Sequence, residues 1–216
     1  MYAFIPYTSS VCVDPFIAST DYKSRIEQRR TVRDFSDKPV DQKVIENIIM
    51  TASSAPSGAN KQPWTFCAIA DPNLKKQIRI AAEKEEHDNY HHRMGEAWLK
   101  DLAPLGTDEH KEFLEMAPWL IIVFKHSYQL VDGVKHKTYY ANESVGIACG
   151  FLLTAIFEAG LVALTHTPSP MNFLKSILKR PEYETPYLLI PVGYASEKAT
   201  VPDIKRKEES EVIVWY

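Results

Sequence analysis

Residues 145–157, Val-Gly-Ile-Ala-Cys-Gly-Phe-Leu-Leu-Thr-Ala-Ile-Phe, are the longest uncharged apolar run in the chain. Glu143 and Glu158 bracket the run and Gly160 offers a helix C-cap, so it falls short of the roughly 20 residues that a bilayer span requires. It reads as a core helix from Tyr139 to Ala159, expected to be buried on all sides. A helix of that kind needs other layers around it. At 216 residues the chain is large enough to supply them as one generous domain without covalent staples.

Strand and helix signals alternate along the rest of the chain. Trp64–Ala70, Trp119–Tyr128, Leu161–Thr167 and Tyr187–Gly193 read as strands, the second so continuously apolar that both its faces should be buried. Asp41 can cap a helix that Val40 and Ile45 staple, with Val44, Ile45, Ile48, Ile49 and Ala52 on one face. Asp71-Pro72 is an N-cap followed by proline at the first helical position, and Leu74, Ile78 and Ala81 point inward from that helix. Thr20–Gln28, Met94–Leu102, Asn172–Lys179 and a segment from Thr107 to Pro118 are further helical candidates, and Asp132-Gly133 marks a turn. The pattern predicts an α/β (α+β) fold of three layers, a mixed central sheet flanked by helices. A last strand-like piece, Glu211–Tyr216, is set off by the charged stretch from Lys205 to Glu209 and can pair with its own sheet or a neighbour's.

Composition excludes several functions. The net charge of -3 gives no general attraction to nucleic acid or anionic lipid. With 8 glycines there is no G-x-G-x-x-G and no G-x-x-x-x-G-K-[ST] to cradle a dinucleotide or triphosphate. Cys12, Cys67 and Cys149 stand singly, which suggests a reducing, cytoplasmic setting and neither a disulfide framework nor a zinc site. Residues 1–20 carry Pro6 and Pro15 and no basic n-region, and read as an arm on the body and not as a signal peptide. His87 and His91 have a metal-capable spacing, but the sequence shows no third ligand beside them, so no metal is expected.

The chemistry gathers around residues 53–66, Ser-Ser-Ala-Pro-Ser-Gly-Ala-Asn-Lys-Gln-Pro-Trp-Thr-Phe. Pro56, Gly58 and Pro63 forbid regular structure, and Ser57, Gly58 and Ala59 leave backbone N–H groups open to a planar or anionic ligand. Upstream lies Arg29-Arg30-Thr31-Val32-Arg33; guanidinium forks suit phosphate, although an exposed basic patch is the plainer reading of that run alone. Glu86 and Tyr90 share a helical face and Lys111 comes from another helix. Together they offer an anion and a cation for the two ends of an amino-acid zwitterion, although solvated helix charges explain the spacing as well.

Arg-Arg-Thr-Val-Arg followed by Ser-Ala-Pro-Ser-Gly-Ala-Asn-Lys-Gln-Pro-Trp resembles the FMN-dependent nitroreductase superfamily. The segment around Glu86, Tyr90 and Lys111, then Asn142-Glu143-Ser144, Thr165-His166-Thr167-Pro168, Pro191-Val192-Gly193-Tyr194 and the run from Ala199 to Lys207, resemble the iodotyrosine deiodinases within it. The resemblance implies an intertwined homodimer with C-terminal strand exchange, built from one domain over 1–216 with a lid at 83–111 and an extension at 205–216. It implies a form that lacks the N-terminal membrane span of animal relatives. It also implies bound FMN held by Arg29, Arg30, Thr31, Val32, Arg33, Ser57, Thr165, His166, Thr167 and Arg206. Thr167, or else Thr165, would lie beside the flavin N5, where a hydroxyl can donate or accept as that nitrogen gains or loses a proton. Ala59, Glu86, Tyr90 and Lys111 would bind a halotyrosine, which the enzyme reduces to tyrosine and halide with electrons from NAD(P)H or a separate reductase. The lid's polar run from Glu83 to His92 has little apolar surface and is expected to order only around such a ligand. A general nitroreductase, a flavin-cleaving enzyme of the same superfamily, and a non-catalytic flavin binder are the alternatives. His166 replaces the hydroxyl residue more common at its place, and its role is left open.

Overall fold

The structure, a computed structural model, describes residues 4–7 and 14–216. The chain divides into two compact units, residues 1–30 and 31–216. In the first, helix α1 (Pro15–Ile26) starts earlier than Thr20 because the Asp14 side chain accepts from the amides of Phe16 and Ile17, with Pro15 as first helical residue. Arg29 and Arg30 close this unit, the Arg29 amide bonded to the Ile26 carbonyl. Residues 1–3 and 8–13 of the expected arm, with Cys12, lie outside the described residues.

The second unit is a sheet between two helical layers. In chain order it contains α2 (Gln42–Ser53), β1 (Trp64–Ile69), α3 (Pro72–Asp88), α4 (Glu96–Leu102), α5 (Phe113–Met116), β2 (Trp119–His126), β3 (Tyr128–Val131), β4 (Val134–Lys137), α6 (Ala141–Glu158), β5 (Val162–Ala163), α7 (Asn172–Ile177), β6 (Glu184–Gly193) and α8 (Glu209–Val212). The central sheet has the order β1-β2-β6-β5 and β3 pairs with β4 as a hairpin around Asp132-Gly133. Among the described residues every ladder is antiparallel, and the parallel component is a single bridge from Thr31 to Ala163.

Strand β2 is buried on both faces, as its sequence predicts. Ile121 and Val123 pack with α2 and α6, while Leu120, Ile122 and Phe124 pack with α3, α5 and α7 on the other side. The first layer is set by Asp41, which caps α2, and by Val40 and Ile45, which are both buried in the core beneath it. That layer is where α6 departs from expectation. Val145, Ala148, Cys149, Leu152 and Ile156 are buried, but Ile147 and Phe151 remain 45% and 41% exposed. One sheet can cover only one face of a helix, so an all-apolar helix lying on it keeps an apolar stripe outside.

Other expectations are corrected locally. The 161–167 strand shortens to β5, and His166 rejoins the sheet as an isolated bridge through two backbone bonds to Leu189. The 107–118 helix shrinks to α5, because Thr107 does not cap it and the Asp108 side chain instead holds the His110 amide in a turn. The tail forms no strand: Glu208 and Glu211 make a reciprocal capping box that winds residues 209–212 into α8, and 213–216 run on outside any ladder. The polar run 83–92 is helical, continuing α3 to Asp88 and then a π-helical turn, Asn89–Arg93. What its sequence lacks in apolar area is supplied by polar partners: Arg79–Glu83 at 2.8 Å, Arg93–Glu85 at 2.6 Å and Asn89 Nδ2 to the Ser169 carbonyl at 2.9 Å. Among the described residues no helix is long and apolar enough to cross a membrane.

Candidate active site

Burial alternates along the segment that leaves β5. Leu164 is buried, Thr165 exposed, His166 buried and Thr167 exposed, so the two hydroxyls share one face and the imidazole lies on the other. These residues and Arg33 form one wall of a cavity of about 150 Å³ whose other walls carry Glu86, Tyr90 and Lys111. Arg33 reaches it because its neighbours are pinned: Thr31 bridges to Ala163, and the Val32 amide donates to the Ala163 carbonyl at 3.2 Å.

Glu86 and Lys111 meet at 3.8 Å and are almost fully buried, at 6% and 3% exposure. Lys111 Nζ also donates to the carbonyl of Asp108 and, at 3.4 Å, to Thr107 Oγ1, while its backbone amide is held by Glu83 at 2.7 Å. Tyr90 donates its hydroxyl to the Thr107 carbonyl at 3.1 Å and presents its ring to the ammonium, 5.6 Å from the centroid. Burial pushes the Glu86 carboxyl above its ordinary range, against the pull of Lys111. It pushes the Lys111 ammonium below its ordinary range, against the pull of Glu86. Both groups are thus short of solvation. A ligand bringing its own ammonium and carboxylate can supply the missing opposite charges.

His166 is the third buried titratable group. Burial, with Lys111 and Arg33 adding to it, lowers its pKa to about 3. Among the described residues its Nε2 has no hydrogen-bond partner, and its ring meets Phe113 edge-on at 5.6 Å.

The 57–62 loop is built differently from the sequence reading. The Gly58 amide is not open but donates to Ser144 Oγ at 3.3 Å, and a side chain at Gly58 would strike the Tyr139 carbonyl oxygen at 2.8 Å. That glycine serves close packing. Ala59, Asn60 and Gln62 all have positive φ, at 51°, 51° and 45°. Three such non-glycine residues in one loop mark stored strain, a common property of ligand-binding segments. Ser57 Oγ accepts from the Gln62 amide at 2.9 Å, whereas the Ala59 amide meets no acceptor among the described residues.

The cavity therefore unites Arg33, Glu86, Tyr90, Lys111, Thr165, His166 and Thr167, while Ser57, Ala59 and Arg206 do not line it and Arg29 and Arg30 belong to the other unit. Six lining residues lay outside the sequence-predicted set: Met94, Trp98 and Leu102, then Thr107, Phe113 and Leu164. The first three carried a signal, since an apolar row at i, i+4 and i+8 runs along one face of a helix.

Residues 26–194 match the nitroreductase family. An iodotyrosine deiodinase of Haliscomenobacter hydrossis is 58% identical, over 99% of this chain and 98% of that protein. Iodotyrosine deiodinase 1 of Homo sapiens is 46% identical, over 91% of this chain and 68% of its own length. Among solved structures, an oxidized iodotyrosine deiodinase bound to FMN and 3-iodo-L-tyrosine superimposes with a TM-score of 0.77 at 31% identity, covering 90% of this chain and 98% of that one. A nitroreductase with bound FMN from Bacteroides fragilis shares the fold alone, with a TM-score of 0.68 at 18% identity.

Proposed function

The chain belongs to the nitroreductase family, in its iodotyrosine deiodinase branch, and from that premise we propose that it is an FMN-dependent oxidoreductase that converts halogenated tyrosines to tyrosine and halide. The observation that carries the reading is the buried Glu86–Lys111 pair beside Tyr90, in a cavity walled by Thr165 and Thr167. A general nitroreductase acting on nitroarenes has no use for a buried carboxylate and ammonium aimed at one small cavity.

FMN suits the residues present. Arg33, with Thr31 and Val32 in the same sequence run and Arg206 in the C-terminal extension, would hold its phosphate and ribityl chain; guanidinium groups supply paired donors for phosphate oxygens. Ser57, Thr165, His166 and Thr167 would border the ring system, and Thr167 is our choice for the hydroxyl at N5, with Thr165 second. Bound FMN supplies the two electrons that, with one proton, replace the carbon–halogen bond by carbon–hydrogen and release halide. The chain's own work is binding and orientation. Glu86 takes the substrate ammonium, Lys111 its carboxylate, Tyr90 orders the Thr107 turn behind them, and the unclaimed Ala59 amide donates to the phenolate oxygen. Trp98 and Leu102 keep water from that ion cluster, which strengthens each charge-assisted bond. NAD(P)H or a separate reductase recharges the flavin.

The assembly we infer is a homodimer. The cavity of about 150 Å³ is below the roughly 300–1,000 Å³ of ordinary ligand pockets, which is what a site completed by a second copy would look like in one chain. In this reading the second copy contributes the 57–62 loop and covers the Ile147, Gly150 and Phe151 stripe of α6, where a side chain added at Gly150 would meet open space. The deciding experiment is a flavin-fluorescence titration of the FMN-loaded protein with iodotyrosine, tyrosine and iodophenol, followed by turnover after dithionite reduction. Tight binding and dehalogenation of iodotyrosine, with iodophenol far weaker, is expected; equal binding of iodotyrosine and iodophenol would return the protein to the general nitroreductases.

A further inference from the structure

We propose that His87, His91 and Glu109 form a binding site for one divalent transition-metal ion of the zinc type, which ties the end of α3 to the 107–112 turn. The sequence offered only the two histidines. The fold adds Glu109, and one ligand atom from each of the three residues lies within 4.8 Å of the others. His87 Nδ1 stands 2.6 Å from Glu109 Oε2, and His91 Nε2 stands 3.5 Å from Glu109 Oε1, so the carboxylate bridges the two rings. The rings themselves lie 4.4 Å apart between centroids. Ligands about 2.0–2.2 Å from a common ion are at most about 4 Å apart, so small rotations of the two half-exposed imidazoles toward the Glu109 carboxylate close the set. Two imidazoles and one carboxylate select zinc, nickel or copper over magnesium or calcium, which take all-oxygen sites.

The neighbouring trio Glu83, His110 and Glu112 is a poorer candidate. It has a single imidazole, and Glu83 Oε1 already accepts from Arg79 Nε and from the Lys111 amide. At the chosen cluster the nearby cations are engaged elsewhere: Arg93 pairs with Glu85 and Asp88, and Lys111 turns toward Glu86 and the Asp108 carbonyl.

Position gives the site a consequence. His87 follows Glu86 directly and Glu109 lies two residues before Lys111, so an ion here fixes the spacing of the two segments that carry the buried ion pair. Zinc should therefore slow opening of the 88–108 segment, whatever ligand the cavity takes.

The test uses untagged, FMN-loaded protein stripped by chelator and titrated with zinc chloride by calorimetry. One zinc per chain is expected. His91→Ala and Glu109→Gln should each weaken binding by more than the roughly 10- to 100-fold that loss of a mere supporting residue costs, while His92→Ala, one position on, changes nothing. Saturating zinc should slow proteolytic cleavage within 88–108 in the parent protein and in His92→Ala, but in neither ligand variant. Unchanged zinc affinity in the two ligand variants would overturn the site, as would a thiolate-to-metal absorption band on cobalt substitution, since that would place the ion on a cysteine. Cleavage that zinc leaves unaltered would overturn the tie.

Discussion

His166 Nε2 stands 3.9 Å from Glu86 Oε1, too far for a hydrogen bond, with both side chains buried and the imidazole nitrogen unpartnered. The neighbouring charges on Lys111 and Arg33 oppose protonation of the ring as burial does, so its pKa falls to about 3. In the unfolded chain a histidine titrates near 6.5, so as pH falls the unfolded chain takes the proton first. The contribution of His166 to stability is therefore complete above about pH 6.5 and drains away toward about 3, amounting to about 2 kcal/mol between pH 7 and pH 5. Glu86, with its raised pKa, acts in the opposite sense and is present in both proteins to be compared. Urea unfolding of the parent and His166→Thr at the two pH values should show the parent losing about 2 kcal/mol more. Parallel losses would mean the ring is solvated or paired.

The Glu86–Lys111 pair makes a prediction about discrimination. Removing one member leaves the other buried and leaves one end of a bound zwitterion unmatched, at about 2–5 kcal/mol. Glu86→Gln and Lys111→Ala should each weaken iodotyrosine binding by orders of magnitude while iodophenol, which has no zwitterion, binds nearly as before. Fluorescence titration of the FMN-loaded variants measures both. Equal losses for the two ligands would show that the substitutions damage the cavity and not the recognition.

The two threonines on the exposed face separate orientation from chemistry. Thr167→Ala should slow dehalogenation by about 10- to 100-fold, the scale of a lost positioned hydrogen bond, with iodotyrosine affinity within about twofold of the parent. Thr165→Ala serves as the comparison. A larger loss of rate at Thr165 would reverse the assignment at N5 and leave the rest in place.

How much of this was legible in the residues depended on the range of the signal. Local signals read correctly: the Asp41 cap with its Val40–Ile45 staple, the Asp71-Pro72 start of α3, and the apolar run that became β2. Asp14-Pro15 carried the same signature as Asp71-Pro72, but the arm reading hid it and α1 was started too late. What the sequence could not supply was pairing across distance. Nothing near His87 announces Glu109 as its partner, and nothing in the glutamate-rich tail distinguishes a strand from the capping box of Glu208 and Glu211. The extent of α6 was clear from its composition, yet which face stayed outside depended on where the sheet lay. The resemblance to the nitroreductases pointed to Arg33, Glu86, Tyr90, Lys111, Thr165, His166 and Thr167, which line the cavity, whereas Ser57, Ala59 and Arg206, named by the same resemblance, stand outside it.

That outer face of α6 carries the last prediction. Ile147 and Phe151 are four apart on one side of the helix and both substantially exposed, with Gly150 between them offering no side chain to hold a neighbour away. Burying two such side chains is worth about 1.5–3 kcal/mol each, counted on both partners, whereas a carboxylate in their place must be desolvated without a counter-ion. Ile147→Glu combined with Phe151→Glu should therefore yield a folded monomer by light scattering. If the 57–62 loop of one copy completes the flavin site of the other, that monomer should also lose FMN on gel filtration, although neither substitution touches the cavity. Circular dichroism separates this outcome from misfolding. A dimer that persists in the double variant would place the interface elsewhere on the chain, and a monomer that keeps its flavin would show that one chain completes the site alone.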